Sequence, residues 1–221
     1  MIYKYSLPFE YRIRKLRYKI SLVFICLILI GSNLQAQQQN FFQFSQINAN
    51  QIDSVEVGMQ GHLKELSYKI GVSSDYFPNA STFKLAQPKV FSRPATGQFI
   101  GCQVNYFFTA PDSVVRLIDY TWDTKNDVTS LTDLLKKEND QSGSKTKYDS
   151  EFQKIAAILT DNLGKPVEGT GEFVKKQEGS SNWYERNLIW KKGEATVELN
   201  MIWAERKALG TYKIRCKVYW N

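Results

Sequence analysis

Few residues of this chain are of the types that do chemistry, and their numbers exclude several classes of site. The 221 residues include one histidine, His62, and three cysteines. A metal site built on two or more imidazoles is therefore excluded. His62 could act as a general base, but the sequence shows no partner for it. Its place on a predicted amphipathic helix is more typical of a boundary residue.

Motifs for nucleophilic catalysis and for nucleotide binding are also missing. The sequence has no Gly-x-Ser-x-Gly elbow and no Walker motif, and Gly169-Thr170-Gly171 lacks the third glycine of a dinucleotide turn. Two Ser-x-x-Lys matches fall between residues 142 and 147. That stretch is rich in serine and lysine, and we interpret residues 139–147 as a polar loop. We expect no cofactor and no metal.

Three acidic residues, Asp119, Asp123 and Asp127, resemble a calcium-binding loop in their spacing. An EF-hand needs an oxygen ligand at its third position and glycine at its sixth, where this chain has Lys125 and Val128. The match therefore fails, and a solvated turn is the better interpretation. A carboxylate pair brought together only by tertiary contacts, as in a secreted hydrolase, stays open as an alternative.

The five tryptophans all lie in the C-terminal half of the chain. Trp203 and Trp220 share the strand phase of apolar residues, which predicts that they are buried. Trp183 instead shares its phase with Glu185 and Asn187. An aromatic ring on a polar face can contact a ligand. The sequence therefore predicts a ligand-binding surface formed by Trp183, Glu185 and Asn187.

The N-terminal segment has the pattern of a signal peptide. Residues 1–19 carry six basic side chains against one acidic side chain, and the apolar run Ile20–Ile30 follows. Leu34–Ala36 then places a small residue where signal peptidase requires one. The apolar run is only about 16 Å long as a helix, too short for a hydrocarbon core of about 30 Å. We expect cleavage after Ala36, a secreted or periplasmic product, and no transmembrane segment after cleavage.

Removal of this leader would change the charge of the protein. The whole chain has a net charge of +7, whereas residues 37–221 hold 23 Lys and Arg against 21 Asp and Glu, a net charge of +2. Nucleic-acid binding requires a persistent basic surface, so it is not expected. The expected partner is an extracytoplasmic ligand, which could be a glycan, a peptide or a lipid.

Two cysteines, Cys102 and Cys216, follow the predicted cleavage site. An exported protein could join them in a disulfide, or they could be buried as free thiols, and both alternatives stay open. A disulfide would require neighbouring strands, because its two α-carbons lie about 4.4–6.8 Å apart.

Alternation of apolar and polar residues predicts five strands, and helical spacing predicts two helices. The predicted strands are Ile100–Phe108, Val114–Trp122, Trp183–Trp190, Ala195–Trp203 and Tyr212–Trp220, with one further edge strand near Thr82–Leu85. The predicted helices cover residues 150–163 and 54–70.

This element order predicts an α+β fold. We expect an antiparallel sheet of five to six strands, with the main helix (about 150–163) and the N-terminal helix (about 54–70) packed on one face. The predicted organisation is a signal peptide over 1–36, an arm, helix and irregular segment over 37–98, and the antiparallel domain over 99–221. Residues 37–221 should form one compact unit.

The function that these patterns favour is an exported, non-catalytic module for binding or for cell-envelope assembly. The absence of a recognisable catalytic constellation is the reason. A secreted hydrolase with carboxylates assembled in the tertiary structure is one alternative. A small outer-membrane β-barrel is the other, because the strands alternate and about 185 residues suffice for eight strands.

Overall fold

The computed structural model of the protein describes residues 41–78, 80–95, 100–123, 130, 132, 144–179, 181–204 and 211–220. The chain divides into two compact units, Met1–Phe42 and Gln43–Asn221. In the first unit the described residues are Phe41 and Phe42, whose rings meet edge to face at 5.0 Å. The predicted signal peptide lies outside the described residues.

The second unit is built on one antiparallel sheet, which has eight strands among the described residues. The strands are β1 (His62–Lys64), β2 (Lys89–Arg93), β3 (Cys102–Phe108), β4 (Val115–Asp123), β5 (Val174–Glu178), β6 (Ser181–Lys192), β7 (Ala195–Ala204) and β8 (Thr211–Trp220). Their spatial order is β1-β2-β3-β4-β8-β7-β6-β5. The sheet therefore consists of two meanders, β1 to β4 and β5 to β8, which are joined where β4 pairs with β8.

The predicted antiparallel α+β fold is confirmed, but the predicted number of five to six strands is wrong. The five strongest predicted strands correspond to β3, β4, β6, β7 and β8. The sequence pattern missed β5 because all of its residues are exposed, so no apolar residue marks a buried face. It missed β1 because that strand has only three residues. The edge strand expected near Thr82–Leu85 amounts to one isolated bridge, between Leu85 and Thr109.

The helices also differ from their predicted bounds. A 3-10 helix, Ala49–Gln51, leads into α1, which covers Ile52–Gly58 and not 54–70. Gln60 has a positive φ of 55°, so the chain turns there and becomes extended in β1. The second helix, α2, covers Ser144–Leu163, so the polar loop expected over 139–147 is wrong from Ser144 onward.

One face of α2 packs against β6, β7 and β8. Its buried apolar side chains are Tyr148, Phe152, Ile155, Ala156, Ile158 and Leu159. Full burial of a large aliphatic or aromatic side chain contributes about 1.5–3 kcal/mol, so this face holds the helix on the sheet. The helix ends at Gly164, which has a φ of 86° and donates its N–H to the carbonyl of Thr160 at 2.9 Å.

The two faces of the sheet differ in character. The helical face is the face that α1 and α2 cover, and β8 contributes to it Tyr212, Ile214, Cys216, Val218 and Trp220, all buried. The polar face is the opposite one, where β8 presents Lys213, Arg215 and Lys217. Among the described residues, neither helix combines the length and the apolar composition needed to cross a membrane.

A buried ion pair connects α1 to the sheet. Glu56 of α1 is fully buried, and Arg93 of β2 is 3% exposed. The Arg93 guanidinium donates from Nε and Nη2 to the two oxygens of Glu56, at 3.0 and 2.7 Å. The Tyr106 hydroxyl donates to the same carboxylate at 2.5 Å. Because both charges have partners within the core, this contact fixes α1 on the helical face.

Candidate functional site

The predicted surface of Trp183, Glu185 and Asn187 lies on β6 and faces the polar side of the sheet. Trp183 and Glu185 are partly buried and Asn187 is exposed. Glu185 accepts a hydrogen bond from Asn200 at 2.8 Å. Because the three side chains follow one strand at alternate positions, they form a flat strip.

The two cysteines lie on the helical face, and both are free and fully enclosed in the described part of the chain. Cys102 belongs to β3 and Cys216 to β8, and β4 lies between those strands. Two strand spacings amount to about 10 Å, which is beyond the span of a disulfide. Burial raises the pKa of the Cys102 thiol to about 12 and also raises the pKa of Cys216. Both thiols are therefore held neutral and serve as small apolar side chains.

The other residues singled out by type are dispersed. His62 lies at the start of β1 and not on a helix. Asp119 and Asp123 lie on β4, where they pair with Arg215 at 3.5 Å and Lys213 at 3.3 Å. Asp127 lies outside the described residues. In the part of the chain that the structure describes, no group of three His, Cys, Asp or Glu side chains could hold a metal ion.

The centre of the polar face is a neutralised network of charges beneath one tyrosine. Arg215 pairs with Asp119, and Lys217 pairs with Glu198 at 2.5 Å. The Tyr76 ring covers both cations, at 4.7 Å from the Arg215 guanidinium and 5.1 Å from the Lys217 ammonium. Burial and then the nearby Asp119 raise the pKa of Tyr76, so its hydroxyl stays neutral. This arrangement fastens the segment around Tyr76 to the sheet.

A cavity of about 300 Å³ lies at the other face, beside the N-terminal half of α2. Its lining from α2 is Lys145, Thr146, Asp149 and Gln153. From the opposite side it is lined by Gly171, Glu172, Phe173 and Arg186. We call this the Arg186 cavity, because it places a buried cation at the wall of a space large enough for a small ligand.

The Arg186 guanidinium is buried but only partly satisfied. The residue is 4% exposed. Its Nη2 contacts the Asp149 carboxylate at 2.6 Å, the Asp149 carbonyl at 3.5 Å and the Met201 sulfur at 3.2 Å. Its Nε is sealed from solvent and has no hydrogen-bond partner in the described part of the chain. The Asp149 side chain is 45% exposed, so the charge that balances Arg186 lies partly in water.

Two phenyl rings lie close to the same guanidinium. Its central carbon lies 3.8 Å from the centre of the Phe152 ring and 4.5 Å from that of Phe173. Burial among these rings lowers the pKa of Arg186, while the Asp149 charge acts in the opposite direction. Nearby, the Lys145 ammonium lies 3.8 Å from the centre of the Trp203 ring. The site thus combines two cations with aromatic surfaces.

The segment that follows α2 supplies the second wall of the cavity. Ile189 of β6 accepts a hydrogen bond from the Val167 N–H at 2.7 Å and donates its own N–H to Glu168 at 3.0 Å. Gly169 has a φ of 86°, and a β-carbon there would lie 2.2 Å from the Asn187 carbonyl oxygen. Only glycine fits so close to the strand. This approach aligns the segment with β6 and brings Phe173 over Arg186.

The buried carboxylates of the described residues are all paired with cations. They are Glu56, Asp119 and Glu151. Glu56 pairs with Arg93 at 2.7 Å, Asp119 with Arg215 at 3.5 Å, and Glu151 with Lys154 at 3.2 Å. Each of these three carboxylates is therefore engaged in an ion pair within the fold.

The sequence reasoning did not select the residues of the Arg186 cavity. It assigned Lys145 and Thr146 to the polar loop over 139–147, and Asp149 directly precedes the helix predicted over 150–163. One signal was present. Arg186 shares the phase of Tyr184, the inward phase of β6, and a charged residue at a core position requires a partner or a function.

Comparison with protein-family models, with curated proteins and with solved structures finds no match for this chain. The function is therefore inferred from the Arg186 cavity and from the sequence itself.

Proposed function

We propose that the protein is an exported, non-catalytic module that binds a small anionic molecule in the Arg186 cavity. The observation that carries this proposal is the state of Arg186, which is 4% exposed at a cavity wall. Its ionic partner among the described residues is one carboxylate, that of Asp149, which is 45% exposed.

The free-energy cost of burying the Arg186 guanidinium supports a role in binding. A guanidinium taken out of water loses several kcal/mol of hydration unless ion pairs and hydrogen bonds replace it. Asp149 replaces only part, since Nε has no partner and the carboxylate stays half solvated. An anionic ligand in the cavity would add a second negative charge near the guanidinium and so balance it more fully than Asp149 alone. Charge-assisted hydrogen bonds of this kind are about twice as strong as neutral ones.

Export is supported by the sequence of the first 36 residues. Their basic start, apolar run and small residue at Ala36 are typical of a cleaved leader. Export would place the cavity outside the cytoplasm, where the ligand or a cell-envelope partner would be met.

The proposal can be tested on the full chain expressed with its own leader in a bacterial host. Mass spectrometry of the purified product should give a chain that begins at Gln37. Thermal-shift measurements would then use monosaccharides, short peptides and lysophospholipids, each in anionic and neutral forms. We expect at least one anionic compound to raise Tm, and turnover on a panel of hydrolase substrates to be absent.

Two matched variants identify the site. Arg186→Met keeps an unbranched apolar stem beside the phenyl rings, and Lys191→Met makes the same charge change at a side chain that is 60% exposed on the polar face. The Tm increase should vanish in Arg186→Met and persist in Lys191→Met. Absence of any anion-dependent shift, or catalytic turnover that Arg186→Met abolishes, would refute the proposal.

A further inference from the structure

The lining of the Arg186 cavity is polar on most sides and apolar on one. Thr146 contributes a hydroxyl and Gln153 an amide, while Asp149 and Glu172 contribute carboxylates. Phe173 is the large apolar residue of the lining. The cavity therefore offers several hydrogen-bonding groups around a single ring face.

This composition discriminates between kinds of anion. A fatty acid or an aromatic acid would need several apolar walls for its body, and the cavity offers mainly the Phe173 ring. The two cations of the lining, Arg186 and Lys145, are balanced by two carboxylates, Asp149 and Glu172, so the cavity suits a ligand with one negative charge better than a phosphate dianion. A ligand with one negative charge and several hydroxyl groups suits the lining better, because carboxylates and amides accept hydrogen bonds from hydroxyls.

We propose, as a refinement of the function proposed above and dependent on it, that the ligand is an acidic sugar of the hexuronate class. Its carboxylate binds the Arg186 guanidinium, and its hydroxyls donate to Asp149 and Glu172. The carbon–hydrogen face of the sugar ring lies against Phe173. A volume of about 300 Å³ is enough for one such residue, either free or as one unit of a longer glycan.

Asp149 has a second role in this arrangement, because it competes with the ligand for the guanidinium. Its carboxylate lies 2.6 Å from Nη2, at the side of Arg186 that faces α2. Asp149→Asn removes the competing charge and keeps an oxygen that accepts a hydrogen bond from a sugar hydroxyl. Because the Asp149 carboxylate is 45% exposed, water screens its attraction to Arg186, and we take the pair to be worth up to about 1 kcal/mol. This corresponds to about a fivefold gain in affinity for the acidic sugar.

The test is isothermal titration of the purified full-chain product with D-glucuronate, D-galacturonate, D-glucose and inorganic phosphate. We expect at least one uronate to bind at least about tenfold more tightly than glucose and phosphate, since a hydrogen bond to a charged group contributes about 1.5–3 kcal/mol. Arg186→Met should remove that preference. Asp149→Asn should strengthen uronate binding about fivefold.

The outcomes separate this inference from the proposed function. In one outcome an anion binds in a manner that depends on Arg186 while glucose binds as tightly as the uronates, and in another phosphate or a peptide carboxylate binds more tightly than they do. In either case the acidic-sugar assignment is wrong and the proposed anion binding stands. If no anion binds, both are wrong. Should Arg186→Met fail to fold, Asp149→Asn decides, because weaker uronate binding in that variant overturns the competition that the inference requires.

Discussion

Two arginines are buried on the helical face, and they are held in different ways. Arg93 is 3% exposed and Arg186 is 4% exposed. Arg93 donates from two nitrogens to both oxygens of Glu56, which is itself fully buried. Arg186 makes its polar contacts through Nη2, and its central carbon lies 3.8 and 4.5 Å from the centres of two phenyl rings.

The difference shows in the direction of their pKa shifts. Burial acts to lower the pKa of both groups. For Arg93 the hydrogen bonds and charge of Glu56 exceed that effect and raise the pKa above its ordinary value. For Arg186 the effect of burial is larger than that of the Asp149 charge, so its pKa lies below the ordinary value. The contacts of Arg93 with Glu56 thus serve the fold, whereas the function proposed above assigns a ligand to Arg186.

The largest expected effect is on stability, when each arginine loses its carboxylate. Glu56→Gln should lower the free energy of unfolding by about 3–5 kcal/mol, because it leaves Arg93 buried without an ionic partner. Asp149→Asn should cost less than about 1 kcal/mol, because Asp149 is half exposed. Urea denaturation of both variants measures this. Equal losses would show that the two arginines are not held differently.

Alkaline pH provides a second test on the Arg93 side, where Cys102 pairs in register with Arg93. The pKa of the buried Cys102 thiol is raised from 9.0 to about 12. The folded chain therefore binds this proton more tightly than the unfolded chain. The resulting stability is complete below pH 9 and is lost between pH 9 and about 12. The expected slope is about 1.4 kcal/mol per pH unit.

A Cys102→Ala variant isolates this contribution from those of other titrating groups. Denaturation curves of the native chain and the variant at several alkaline pH values should show a shallower decline in the variant. Parallel declines would mean that the thiol is not held neutral by the fold.

Thiol labelling compares how readily a reagent in solution reaches the surroundings of the two arginines. Cys102 and Cys216 are buried and should not react with a disulfide reagent under native conditions. A Thr146→Cys variant places a thiol at the exposed wall of the Arg186 cavity and should react readily. A bound anion should slow that reaction. Protection of the new thiol in the absence of any ligand would argue against an open cavity.

The smallest expected effect concerns the surface that the sequence predicted. Trp183 lies on the polar face, on the opposite side of β6 from Arg186. Because Trp183 is partly buried, Trp183→Ala should lower stability by about 1 kcal/mol, and it should leave anion affinity within about twofold. Titration of this variant checks the expectation. Loss of ligand binding would show that the ligand-binding surface is the one predicted from the sequence, formed by Trp183, Glu185 and Asn187.

The sequence predicted those strands in which the alternation of apolar and polar residues matches one buried and one exposed face. In β8 the residues Tyr212 to Trp220 alternate because one face is buried, so the strand was recognised. In β5 both faces are exposed, and the chain alone gives no reason for an extended conformation. The helix expected over 54–70 was too long, because apolar spacing continued past Gly58 by coincidence.

The cavity could not be predicted for a related reason. Phe173 follows a glycine-rich crossing, and Asp149 belongs to a helix that comes 37 residues before Arg186. Only the pairing of the crossing with Ile189, and the packing of α2 on β6, bring these groups together. The spacing of apolar residues indicates which side of a helix or strand is buried, but not which charged side chain of another element will contact it.

The position of β8 has a consequence for how the molecule assembles. This strand follows the other seven described strands in the chain, yet it lies at the middle of the sheet, between β4 and β7. Before residues 211–220 are in place, β1 to β4 and β5 to β7 share no backbone pairing, and β4 and β7 are open edges. Contacts so distant in sequence form slowly. The two halves of the sheet are therefore joined through backbone hydrogen bonds only when β8 pairs with both β4 and β7.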